Sequence, residues 1–458
     1  MSGKFAALAL LMAAGGCATS QIAPPIDHPP NLDTSAPTEP RGLHIQGDGD
    51  AIALAFSGGG ARAAAFSLGV LEGLQEMPDD QNGALLDHVR FVSGVSGGSI
   101  MAAYYGQHGR EGLKDFRASY LDQDWDKSFH TNAVSPANWL RVLKGGLNGS
   151  GDLSAWLDEK LYHGATIGDL WANDHPRVLI NATELYTGAP FAFSQPYFDA
   201  ICSDLASVKV SDAVAASMAV PVAFHPVTIA THPDKCAAPL ADWVPKTSAD
   251  RQGTQLLRVT SRAFAWYRDP SEMKYVHLVD GGVADNLGLS TIMALRAASG
   301  SAIAPLSPED SVRVRHLTFL VVNAEMVRDA TWPLTAAGPN GVQAASASLD
   351  AAMDSGKRGA YDGFVSTMAK WESDVRAYRC GLKKDDVVRL RGTLDGWKCG
   401  DVIFTVDMIS FADLPADQRE KLGLEPTRVS LPAASIDALI AGGKQAVKQN
   451  AAARAAAR

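Results

Sequence analysis

A chain of 458 residues, 46% of them apolar, can bury a substantial core and is long enough for two domains or one elaborated α/β domain. Its formal net charge of −9 excludes nucleic acid as the main partner, because binding a phosphate backbone needs a basic surface. The five cysteines show neither CxxC nor Cys/His ligand spacing, which argues against a structural zinc site.

The first residues, through Lys4, form a short positive region followed by an apolar run from Phe5 to Ala14. That run is too short to span a bilayer as a stable helix. It leads into Ala14-Gly15-Gly16-Cys17, which resembles the lipobox of bacterial lipoprotein precursors. The resemblance implies a signal peptide over 1–17, with lipid attached to Cys17. An ordinary secretory signal is the alternative, and both readings predict export. Ala18, where an aspartate would otherwise signal retention, implies outer-membrane sorting and an anchor on the membrane surface. Residues 18–47 are rich in Pro, Ser, Thr and Asp and lack apolar periodicity, so they predict an extended tether. In an oxidising compartment, Cys202–Cys236 and Cys380–Cys399 are the sequence-nearest of three possible pairings. Four free thiols are the other possibility.

Ala51 to Phe56 is an apolar run suited to a buried strand, and Ala63 to Met77 has helical spacing. Between them lies Ser57-Gly58-Gly59-Gly60-Ala61-Arg62, a backbone able to approach a ligand closely and offer N–H groups. Gly58-x-Gly60-x-x-Ala63 fits a relaxed dinucleotide fingerprint, but that motif wants an acidic residue ending the next strand. Val89 to Val92 ends in Ser93 and Gly94 instead. The better reading is an oxyanion hole, with glycine N–H groups aimed at an oxygen that becomes negative.

That reading requires a nucleophile on a neighbouring strand. Gly94-x-Ser96-x-Gly98 supplies one, between the strand ending at Val92 and a helical run from Ile100 to Tyr105. A sharp strand-to-helix turn would expose the Ser96 hydroxyl and place the Gly97 N–H at a helix N-terminus.

Gly58-Gly59-Gly60-Ala61-Arg62 followed by Gly94-Val95-Ser96-Gly97-Gly98 resembles the patatin-like phospholipase family, which pairs a GGGxR loop with a GxSxG serine. Ala63 stands where members usually have glycine. The resemblance implies an α/β three-layer sandwich with a mainly parallel sheet flanked by helices. It also implies a downstream DGG aspartate, and Asp280-Gly281-Gly282 follows the strand-like run Tyr275 to Val279. The implied chemistry is a Ser96–Asp280 dyad with Asp280 as general base. Gly58, Gly59, Gly60 and Gly97 are then the oxyanion-hole candidates, and Arg62 a candidate for ordering the loop. Desolvation would have to raise the Asp280 pKa for this to work. Neither a metal nor a cofactor is implied. His316 begins a strand and so lies at the wrong edge for a triad, while His277 reads as a packed strand residue. Asp285 reads as a solvated loop carboxylate.

Ser135-Pro136 opens a helical run to Lys144. Trp139, Leu140 and Leu143 beside Arg141 and Lys144 make 136–144 either a lid or a helix packed on the domain. Ile180 to Gly188 reads as strand and turn, and Ser211 to Val220 as a helix capped by Ser211 and stopped by Pro221. Both resemble family segments framing an acyl pocket, and Asn286 is a further family match. A helix over Ser290 to Ala298, a strand over Leu317 to Val322, a long helix near Ala345 to Ala377 and a strand over Cys399 to Met408 complete a domain spanning 48–430. Residues 431–458 read as an Ala-rich basic tail on the surface.

These features predict a serine lipid acyl hydrolase acting on lipid or phospholipid esters. An esterase, thioesterase or acyltransferase using the same site, or a non-catalytic lipid-binding lipoprotein, are the alternatives.

Overall fold

The structure is a computed structural model describing residues 23–31, 37–40, 42–45, 49–79, 83–125, 128–129, 141, 145–236, 239–249, 253–326 and 332–457. Residues 1–22, with Cys17 and the expected signal peptide, and all of 136–144 except Arg141 lie outside the described residues. The Arg141 guanidinium donates to the Leu147 carbonyl at 3.3 Å.

Among the described residues, ten strands form two sheets: β1 (Asp50–Phe56), β2 (Val89–Val95), β3 (Gly146–Asn148), β4 (Arg177–Glu184), β5 (Pro190–Ala192), β6 (Val222–Phe224), β7 (Val227–Ala230), β8 (Tyr275–Asp280), β9 (His316–Asn323) and β10 (Ile403–Ser410). The large sheet has the order β10-β9-β1-β2-β4-β8-β7, with β5 paired to β4. Strands β10, β9, β1, β2 and β4 run parallel, whereas β8 is antiparallel to β4 and β7 to β8. β3 and β6 pair separately.

Alternation along β1 builds the layers. Ile52, Leu54 and Phe56 face one core with α1 (Gly60–Glu76) and α2 (Gly97–Phe116), while Ala51, Ala53 and Ala55 face the other. Three short helices, α3 (Val210–Ser217), α4 (Gly282–Asp285) and α5 (Ser290–Ala298), flank the antiparallel end. α6 (Pro308–Arg313) leads into β9. α7 (Gly341–Gly381) covers the second face with Phe364, Met368, Trp371 and Val375, a stripe at helical spacing. α8 (Lys384–Arg391) follows α7, and α9 (Ala433–Gln449) and α10 (Ala451–Ala456) end the chain's described helices. A mainly parallel sheet with helices on both faces is the expected three-layer α/β architecture.

Three expectations need correction. The tail from 431 is part of the fold: Ile436, Leu439, Ala446 and Val447 of α9 are buried against α1. The two helices meet backbone to backbone, since a Cβ on Gly69 would lie 2.1 Å from the Ile440 carbonyl oxygen and one on Gly443 2.3 Å from that of Phe66. Lys444 and Lys448 then reach Glu72 and Glu76 at the rim, and the Lys448 hydrogen bond lowers the Glu76 pKa. The alanine and glycine that made this segment look featureless are what permit the close approach.

The described parts of 18–47 are likewise held rather than free. Ile26 bridges to Ile229, and the Leu43 and Ile45 N–H groups donate to the buried Asp310 carboxylate at 2.7 and 2.8 Å. An extended segment needs no periodicity of its own when side chains of the domain satisfy its backbone.

The cap of α3 also differs. Lys209 occupies the N-cap position, and Ser211 is fully buried with its hydroxyl accepting from that of Ser154. Both sequence-nearest cysteine pairs are bonded, with Cα separations of 5.2 Å for Cys202–Cys236 and 4.8 Å for Cys380–Cys399.

Candidate active site

The carboxyl ends of β1 and β2 place two glycine turns side by side. Ser96 sits at the second turn with φ 51° and ψ −123°, a conformation that is rare outside glycine and costs of order 1–3 kcal/mol. The strain is held by hydrogen bonds on both sides. The Ser96 N–H donates to Ser217 Oγ at 2.8 Å, and the Ser96 carbonyl accepts from Ser99 Oγ at 2.6 Å. Ser217 in turn donates to the Asn181 carbonyl at 2.6 Å.

Asp280 arrives from the other direction. Because β8 is antiparallel, Asp280 pairs with Ala182, one residue beyond the Asn181–Val95 pair. Its strand therefore starts outside the parallel edge and runs inward to end level with the serine. The Ser96 hydroxyl donates to the Asp280 carboxylate, and the Gly282 N–H donates to Asp280 Oδ1 at 2.8 Å. Burial is the largest influence on this carboxyl and raises its pKa from 3.8 to about 6, against the lowering effect of those two hydrogen bonds. The backbone is also fixed. Asp280 N–H donates to the Ala219 carbonyl, Gly281 N–H to the Ser217 carbonyl, and Thr183 Oγ1 to the Asp280 carbonyl at 2.9 Å.

Of the four glycines expected to hold an oxyanion, three keep free N–H groups among the described residues: Gly59, Gly60 and Gly97. Gly58 does not. Its N–H donates to the Asn286 carbonyl at 3.1 Å, so its role is to clasp the loop to the turn after α4. Gly60 has φ 59°, and a Cβ there would meet the Arg428 carbonyl oxygen at 2.3 Å. A Cβ on Gly97 would lie 2.1 Å from the Gly60 carbonyl oxygen, so the two turns touch through backbone alone.

Arg62 orders this loop from beneath. It is 3% exposed, with Nε donating to the Ala324 carbonyl at 2.8 Å and Nη1 to the Glu425 carbonyl at 2.7 Å. Burial lowers its pKa to about 10, still far above neutrality, so the guanidinium stays charged. The Ala61 N–H donates to the Arg428 carbonyl at 2.8 Å, which makes the 425–428 segment a second clasp. Nothing in the sequence marked that segment, because it contributes only main-chain oxygens.

Sequence reasoning also passed over Ser217, Asn181 and Thr183. Asn181 Nδ2 donates to Ser93 Oγ and the Gly94 carbonyl, its Oδ1 accepts from Thr291, and Ser93 donates to the Gly288 carbonyl at 2.9 Å. This buried network ties the strand bearing the serine to the elements following Asp280. Asp285 is not the solvated carboxylate expected: it is 7% exposed and accepts from the Leu287, Leu289 and Ser290 N–H groups. His277 is exposed rather than packed, paired with Thr228, and His316 is exposed at the far edge beside Asp50. Neither neighbours Ser96.

A hydroxyl held against a buried carboxylate of raised pKa, beside free N–H groups at a helix N-terminus, is suited to acyl transfer. Residues 54–293, from within β1 into α5, match the family described as patatin-like phospholipase. The chain belongs to the patatin-like phospholipase family.

Both glycine turns, Ser96 and Asp280 lie inside the matched span, whereas Arg428 and α9 lie outside it. Among solved structures, human GIVD cytosolic phospholipase A2 is similar at 15% identity and a TM-score of 0.34. The match covers 60% of this chain and 45% of that one, so less than half of the human protein's length is spanned. A likeness of that extent carries no functional argument. No curated protein matches the chain.

Proposed function

We propose that this chain is a serine hydrolase that cleaves carboxylic ester bonds of lipids through a Ser96–Asp280 dyad. The observation that carries the proposal is the Ser96 hydroxyl donating to a buried Asp280 carboxylate whose pKa is raised to about 6. Ser96 Oγ attacks the ester carbonyl carbon while its proton passes to Asp280. The carbonyl oxygen becomes an oxyanion facing the N–H groups of Gly59, Gly60 and Gly97. As the C–O bond breaks, the leaving alkoxide takes the proton from Asp280, and an acyl-Ser96 ester remains. Water then attacks that ester while Asp280 accepts a proton from it, and Asp280 passes that proton to the Ser96 oxygen as the C–O bond to the acyl group breaks and the fatty acid leaves.

The test is covalent labelling with a fluorophosphonate probe, alongside phospholipid and monoacyl ester turnover. Labelling and turnover lost in Ser96→Ala and sharply reduced in Asp280→Asn support the dyad. Labelling that survives Asp280→Asn would assign the base elsewhere, and a folded chain that labels but turns over no lipid ester would exclude the substrate class.

We further propose that the chain is exported and held at the outer membrane by lipid on Cys17. Two cystines support an oxidising compartment. Metabolic labelling with radioactive palmitate, lost in Cys17→Ala, is the expected result. Equal labelling of that variant would remove the anchor.

A further inference from the structure

At the amino ends of β9 and β10, about 25 Å along the strands from their carboxyl ends, four arginines line one small cavity, and two of them, Arg315 and Arg379, share the Asp401 carboxylate. The cavity between them is about 180 Å³ and is lined by Arg313, Arg315, Arg379, Arg391, Trp397 and Asp401. We propose that this pocket is a binding site for a phosphate group, separate from the catalytic centre and independent of the acyl-hydrolase reading.

Three helix ends build it. α6 ends at Arg313, α7 carries Arg379 in its last turn, and α8 ends at Arg391. The Cys380–Cys399 disulfide ties the end of α7 to the loop bearing Trp397 and Asp401, so the pocket is covalently framed. Arg379 forms its buried wall at 2% exposure, with the guanidinium 4.5 Å from the Trp397 ring centroid. Its Nη1 donates to the Val314 carbonyl, and its Nη2 to the Lys398 carbonyl and Asp401 Oδ1. Its Nε, fully shielded from solvent, has no partner among the described residues. A guanidinium N–H left unpaired on a nine-tenths-buried side chain points to a missing acceptor.

The other charges leave that acceptor to be an anion. Asp401 is shared, since its Oδ2 lies 3.5 Å from Arg315 Nε while Oδ1 takes Arg379. Arg391 is held by neutral oxygens, the Thr393 and Asp395 carbonyls at 3.1 and 2.7 Å, which orient it without neutralising it. Arginine in a last helical turn also offsets the helix dipole, a plainer explanation for each residue taken singly. Each helix end contributes roughly half a negative charge, so three ends and one carboxylate leave the four guanidiniums with an excess of about one and a half positive charges. A tetrahedral phosphate matches the planar forks of several arginines better than a carboxylate does. A free phosphate and a lipid phosphomonoester present the same group.

The full chain carrying Ser96→Ala, which prevents turnover, is titrated calorimetrically with inorganic phosphate against chloride at matched ionic strength. In parallel it is sedimented with phosphatidylcholine vesicles containing or lacking phosphatidic acid. Saturable phosphate binding, weakened at least about tenfold by Arg391→Gln and by Arg315→Gln, is expected. Both side chains are partly exposed, so these variants retain the fold, as thermal melts would verify. Arg391-dependent sedimentation with phosphatidic acid alone would identify a lipid headgroup as the source, and phosphate binding without sedimentation would identify the free anion. Saturable binding of neither probe, or binding unchanged in both variants, would overturn the site.

Discussion

The Ser96 hydroxyl donates to the Asp280 carboxylate across two strands that run in opposite directions. Burial raises the carboxyl to about 6, high enough to accept a proton and low enough to be ionised at neutral pH. The value of kcat/KM should therefore fall as pH drops through about 6, with one ionisation on the acidic limb. Asp280→Asn should lower kcat by about two to four orders of magnitude, and stopped assays from pH 4.5 to 8 would show both effects. An acidic limb centred near pH 4 would mean that the carboxyl is solvated during catalysis.

The same burial predicts a stability effect of opposite sense. A carboxyl whose folded pKa exceeds its unfolded value destabilises the fold once ionised; this cost is absent below about pH 3.8 and complete above about 6. Asp280→Asn should therefore raise stability by roughly 1–3 kcal/mol at pH 8 and leave it little changed near pH 4. Urea unfolding at the two pH values measures this, and equal effects at both would contradict the linkage.

Ser217 is a positioning residue. Its hydroxyl accepts from the Ser96 N–H and donates to the Asn181 carbonyl, so Ser217→Ala leaves two buried polar groups unpaired. A loss of about 1–3 kcal/mol in stability should accompany a fall in kcat with KM nearly unchanged, because the elbow loses its support. A stability loss with unchanged kcat would make the residue purely structural.

Arg62 connects the glycine loop to two carbonyls from distant segments. Arg62→Met should cost at least about 2 kcal/mol and reduce fluorophosphonate labelling of Ser96 without abolishing it. Arg62→Lys, keeping one charge but not the fork, should fall between the two. Equal labelling rates in all three proteins would detach Arg62 from the oxyanion loop.

The α1–α9 contact predicts intolerance of side chains at Gly443. Gly443→Val would drive a branched group into the Phe66 carbonyl and displace the helix that begins with the glycine loop. Thermal melting should drop by several degrees, and removal of residues 433–458 should leave a chain that does not fold. A soluble, active truncation would show that the tail is dispensable.

Local patterns in the sequence were enough to place β1, β2, β4, β8, β9 and β10, the two glycine turns, the order of Ser96 and Asp280, and the helix over Ser290 to Ala298, but not the short strands β3, β5, β6 and β7. Each is written in neighbouring residues: an apolar run sets a strand, and glycine at fixed spacing sets a turn. The long helix near Ala345 to Ala377 was legible for the same reason, whereas its buried stripe of Phe364, Met368, Trp371 and Val375 emerged only in the fold. Tertiary structure decided what depends on partners far along the chain. Only the antiparallel course of β8 brings Asp280 level with Ser96, and only its packing supplies the desolvation that makes it a base. Gly58 left the oxyanion set because its N–H meets a carbonyl more than two hundred residues away, and the 425–428 clasp acts through main-chain oxygens that every residue possesses. Asp285 changed from a solvated to a buried acceptor because three later N–H groups fold back on it. The alanine- and glycine-rich α9 became core because small residues declare no preference until a second helix lies against them.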